Sequence, residues 1–134
     1  MGSMTQPETS IRARLQPDVD QFIDDLRTFA TGSYLQESDK ELWEQPFDPE
    51  ALPELKQIIE MFLDAFDLIE SSPDGERLKA LVQPFYDNLE QFNAKHEYAV
   101  LEPEEKSELA DVVRRAAIAS GADDEALGEL PDFE

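Results

Sequence analysis

Between Asp48 and Glu70 the apolar residues are too many for one face of a helix. Set on a wheel at roughly 100° per residue, Leu55, Ile59, Phe62, Phe66 and Ile69 form a seam, and Ile58, Met61, Leu63 and Leu68 widen it past half the circumference. Only Lys56, Gln57, Glu60, Asp64 and Asp67 make a polar stripe. Such a helix needs cover on two sides, so it is expected at the centre of a helical assembly, or at a meeting with another chain.

The rest of the chain supplies that cover. Val19, Phe22, Ile23, Leu26, Phe29 and Ala30 recur at steps of three and four, with Pro17 as the expected first helical position, Leu15 stapling back on the first turn and Gly32 closing the helix. Leu78, Leu81, Val82, Phe85, Leu89, Phe92 and His96 share one face of a third long helix, opened by Ser72 as cap and Pro73, with a kink expected at Pro84. Leu109, Val112, Val113 and Ala116 mark a fourth, from Glu102 and Pro103 to Gly121. Ser38 and Glu41 are spaced as a capping box, which predicts a short helical turn over 39–44. The expected fold is all-α: a compact antiparallel bundle of about four main helices plus that short turn, with flexible termini. One cluster of Phe22, Leu26, Ile59, Phe62, Phe66, Leu81, Phe85, Leu89 and Val112 is expected to form its core.

By this reading residues 1–14 are a disordered leader, 15–121 a single helical domain and 122–134 an acidic tail. Met1, Gly2 and Ser3 ahead of Met4 read as an expression scar. The tail carries Leu127, Leu130 and Phe133 three residues apart, a spacing that leaves docking open.

Charge narrows the function. A net charge of −21 repels phosphates and anionic lipid, so direct nucleic-acid binding and membrane binding are not expected, and a protein partner with a basic surface is. No apolar run approaches the roughly 20 residues of a membrane span, and the absence of cysteine rules out disulfides, so a cytoplasmic protein is expected. The sequence leaves monomer or homodimer undetermined.

Catalytic and metal-binding patterns are absent. His96 is the only histidine and Asn93, three residues before it, is not the glutamate of a di-iron bundle. The scattered glycines form no phosphate loop, and neither Asp18 to Asp20 nor Asp74 to Gly75 completes a calcium loop. Glu102, Glu104, Glu105 and Glu108 could gather hard cations loosely, although acids favour a helix start in any case. No catalytic residue, cofactor or metal ligand is assigned, and no enzyme is expected.

The leading expectation is a small acidic adaptor or regulatory protein that docks a partner through an apolar patch rimmed by carboxylates. Its residues are taken as Trp43 and Phe47, in the proline-rich link, with Met61, Leu63 and Leu68 at the margins of the central helix. Against this stands the simpler reading that all five belong to the core, Trp43 and Phe47 folding back as a lid. Two alternatives are an enzyme of unknown class and a nucleic-acid mimic using the rows Asp20/Asp24 and Glu60/Asp64/Asp67 to block a basic groove.

Overall fold

A computed structural model describes residues 10–69 and 71–133. Four long helices, α1 (Ile11–Thr31), α3 (Leu52–Leu68), α4 (Gly75–Lys95) and α5 (Pro103–Ala119), pack as an all-α bundle. Two short ones, α2 (Glu37–Lys40) and α6 (Asp124–Leu127), lie in the connection after α1 and in the C-terminal segment. The apolar helix α3 is central, flanked by α1 and α4. Phe62 of α3 stacks on Phe85 of α4 with ring centroids 4.0 Å apart and meets Phe66 edge-on at 5.1 Å. The core contains every residue assigned to it from the sequence except Leu81, which is half-buried against it.

Helix α1 starts earlier than the sequence suggests. Ile11 and Leu15 extend its buried stripe, and Ser10 caps it by accepting from the Ala13 N–H at 3.0 Å. Pro17 thus lies inside the helix, where it removes a backbone bond. The first turn is held by tertiary contacts. Asp67 of α3 accepts from the N–H groups of Ile11 and Arg12 at 2.8 and 3.2 Å, satisfying donors that a helix start leaves without partners. The Arg12 guanidinium reaches Asp64 at 2.8 Å and Glu60 at 3.3 Å, and Lys56 lies 3.4 Å from Asp20. Residues 10–14 of the expected leader are therefore the cap and first turn of a helix, and the remainder of the leader lies outside the described residues.

Gly32 ends α1 in the left-handed conformation, φ 68°, with its N–H on Thr28 C=O. The Trp43 ring covers it so closely that a Cβ there would stand 2.9 Å from the ring. The turn expected over 39–44 is instead Glu37–Lys40, and its opening residue Gln36 makes no side-chain cap.

Helix α4 is capped by Asp74, which accepts from the Arg77 N–H at 2.8 Å, and not by Ser72. Ser72 is otherwise engaged: at φ 57° it donates its N–H to Ser120 C=O at 2.7 Å, fastening the α3–α4 turn to the end of α5. Pro84 is exposed, and α4 continues through it. At the other end Asn93, fully buried, donates to Leu101 C=O and accepts from Leu101 N–H, both at 2.9 Å. Between them Glu97 and Tyr98 take left-handed φ values of 61° and 60°.

The C-terminal segment packs on the bundle over its described length, where the sequence leaves docking open. Asp123 caps α6, Leu127 is buried, and Leu130 and Phe133 pack on the core. Phe133 stacks on Tyr86 at 4.5 Å beneath Lys106, whose Nζ is 5.3 Å from the ring centroid. Burial, with Asp132 nearby, pushes the Tyr86 phenol up to about 12.

Candidate functional site

The five residues singled out from the sequence do not form one patch. Leu63 is fully buried and Phe47 nearly so, hence neither is available to a partner, while Trp43 is half-buried over Gly32. Met61 and Leu68 are 62% and 87% exposed, seven residues apart on one flank of α3. The difference follows from packing. Lys56, Glu60, Asp64 and Asp67 all engage α1, so α1 covers the Leu63 flank and leaves the Met61 flank open.

An apolar floor with a carboxylate rim does exist, between α1 and α5. Phe22, Leu26 and Phe29 of α1, with Pro103, line a groove of about 520 Å³ whose walls are Asp25, Glu102, Glu104, Glu105 and Glu108. A second space of about 490 Å³ shares Phe22, Asp25 and Glu108 and continues past Val112 to Asp18, Asp111 and Arg115. Pairing Asp18 with Arg115 at one end and Phe29 with Glu104 at the other makes the two helices antiparallel walls. The eleven-residue step from Asp18 to Phe29 gives a length of about 16 Å, three helical turns.

The floor is open at Phe29 and Pro103, while Phe22 and Leu26 are buried. Phe29 is 43% exposed, and its ring centroid lies 6.4 Å from that of the buried Phe47. Phe47 thus supports the exposed Phe29 from behind. The rim is crowded. Burial first, and then the charges of Glu105, Glu104 and Asp25, raise Glu108 above the usual carboxylate value. Glu105 is raised chiefly by burial, with Glu102 and Glu104 adding repulsion against the backbone N–H bonds that hold it down. One of those bonds is part of the capping box that starts α5, in which Glu105 accepts from the Glu102 N–H at 3.0 Å.

The other acidic features are engaged within the molecule. Glu60, Asp64 and Asp67, one of the rows considered for mimicry, bind Arg12 and the start of α1. Gln16 first, and Lys56 as well, hold the Asp20 carboxyl below its usual value. Among the described residues no three histidine or acidic side chains converge as metal ligands, and no helix is long and apolar enough to cross a membrane. His96 finishes α4 with its ring on Phe92, centroids 4.7 Å apart, and its Nε2 4.0 Å from Glu54.

The chain matches no family model, no curated protein and no solved structure, so the groove is interpreted from its own chemistry.

Proposed function

We propose that this protein is a small non-catalytic adaptor or regulatory protein, and that it docks a basic segment of a protein partner in the groove between α1 and α5. The observation that carries the reading is the convergence of carboxylates from two helices around an exposed aromatic ring, Phe29. Ionised side chains held this close repel one another, and a partner's lysines or arginines would relieve the repulsion while its apolar residues cover Phe29. Carboxylates on a solvated helix face would need no such floor, and a core phenylalanine would not lie open beside them.

The experiment is calorimetric titration of the chain with an amphipathic lysine-rich peptide. Its controls are the same peptide with glutamine for lysine, and protein carrying Asp25→Asn, Glu104→Gln and Glu108→Gln together or Phe29→Ala alone. Either change to the protein should weaken binding by roughly tenfold or more, about 1.4 kcal/mol. Met61→Ser and Leu68→Ser should leave it unaltered. Binding that is lost in Met61→Ser but indifferent to the groove variants would move the site to α3 and end this proposal.

A further inference from the structure

Helix α3 presents a row of Glu54, Ile58, Met61, Ala65 and Leu68, spaced by four and three residues, and nothing in that row after Glu54 is charged. Lys95 binds Glu54 at 2.7 Å, which sets the row of α4 that leads to it, Arg77, Leu81, Pro84, Asn88 and Gln91, alongside. The stack of Phe62 on Phe85 keeps the same antiparallel pairing two turns further on. Both rows repeat every seven residues, the spacing with which helices interleave their side chains with those of other helices. Met61, Leu68, Pro84 and Asn88 are exposed, and Ile58, Ala65 and Leu81 are half-buried. The acids that border the rows are engaged within the chain, Asp64 with Arg12 at 2.8 Å and Asp87 with Gln83 at 3.1 Å. Acids outnumber bases 32 to 11 in the chain, yet these two rows hold one acid, Glu54, against Arg77 and Lys95. A second copy, repelled by the acidic surface elsewhere, meets no excess of carboxylates here.

We infer that this face binds a second copy of the chain about a two-fold axis, with α3 of each copy lying on α4 of the other in an antiparallel four-helix interface. An axis along the helices sets Glu54 against the partner's Lys95, and Lys95 against the partner's Glu54, with Leu68 near the partner's Leu81. An axis across the helices would instead bring Arg77 to the partner's Lys95, cation to cation. Charge complementarity selects the first arrangement. From Arg77 to Lys95 the face is about 27 Å long and, across two helices, about 20 Å wide, on the order of 500 Å² in plan. With side chains interleaved this approaches the low end of the roughly 600–1,000 Å² per partner of a specific interface, the size of a weak, reversible dimer. The face is separate from the groove between α1 and α5 and does not depend on it.

Sedimentation equilibrium of the full chain, from about 10 μM to about 1 mM, tests this. A monomer–dimer equilibrium is expected, and its dissociation constant should fall by roughly tenfold between about 0.1 and about 1 M salt as the self-repulsion of the two acidic chains is screened. Leu68→Glu, at an exposed position and with folding checked by circular dichroism, should leave the chain monomeric. Leu42→Glu, an exposed apolar residue outside the face, should not. Glu54→Lys and Lys95→Glu proteins should each dimerise poorly alone and, when mixed, form a heterodimer roughly tenfold tighter than either homodimer. A chain that stays monomeric throughout overturns the inference, as does a dimer indifferent to Leu68→Glu or a mixture that gains nothing. Binding of an uncharged amphipathic helical peptide at Met61 and Leu68 of a chain that remains monomeric would give the face to a foreign helix and overturn it equally.

Discussion

The Phe62 ring lies on the Phe85 ring at 4.0 Å, with planes 10° from parallel, and this contact joins the central helix to α4. Both rings are buried, so truncation removes both the stacking and the apolar burial. Phe62→Ala should cost about 3–5 kcal/mol, the range for deleting a buried aromatic, and leave the domain largely unfolded at neutral pH and low salt. Added salt should restore part of the signal by screening the acids. Urea or thermal unfolding followed by circular dichroism checks this, and a variant melting within a degree or two of the parent would contradict the packing.

Asp67 and Arg12 hold the first turn of α1 against α3 from opposite directions, one accepting and one donating. Removing the acceptor in Asp67→Ala leaves the N–H groups of Ile11 and Arg12 without partners. Amide exchange at residues 11–16 should then accelerate by about tenfold or more, while α4 keeps its protection. Uniform acceleration throughout the chain would show that this contact is not local.

These two contacts also mark how far the sequence could be read. The stripe from Val19 to Ala30, the closure at Gly32 and the double-sided α3 follow from periodicity and one special φ, which are properties of neighbouring residues. The start of α1 does not, because its donors are satisfied by Asp67, distant in the chain, and Pro17 was the stronger local signal. The site was partly legible for the same reason. An apolar surface rimmed by acids was expected, but a helix wheel is symmetric about its arc and cannot tell the Leu63 flank from the Met61 flank. Phe29 was assigned to the inner face of α1, and the acids from Glu102 to Glu108 looked like an ordinary helix start. Only the packing of α1 on α5 sets Asp25 opposite Glu108.

Stacking of Phe133 on Tyr86 predicts a rigid end. Residues 124–133 should relax like the helices on the nanosecond scale. Phe133→Ala should cost about 1–2 kcal/mol from lost stacking and burial and release residues 128–133. Nitrogen-15 relaxation checks both, and a segment already mobile in the parent would refute the docking.

The rim fixes the sign of a pH effect. Glu105 and Glu108 are raised above 4.5 in the folded chain, so folding favours their neutral forms and the folded state binds more protons. Their contribution therefore destabilises as pH climbs past about 4.5 and through the folded values, and is relieved as pH falls back through that window. Glu108→Gln should raise the melting temperature at neutral pH and flatten its pH dependence there. Peptide affinity should run the other way, increasing as the two carboxylates ionise. Added salt should likewise stabilise the fold while weakening the complex. Affinity that grows on acidification would exclude ionised carboxylates from recognition.

The Asn93 amide presents to Leu101 the donor and acceptor that a neighbouring strand's peptide group would offer, so a single side chain supplies one rung of a ladder inside a helical protein. Aspartate would lose the donor, leucine both groups, and glutamine would overshoot by a methylene. The rung also measures distance. Inserting one residue between Lys95 and Val100 would displace Leu101 by up to about 3.5 Å and break both bonds together. The exposed turn through Glu97 and Tyr98 can thus vary its side chains far more readily than its number of residues, and length changes at this surface should be as harmful as substitutions in the interior.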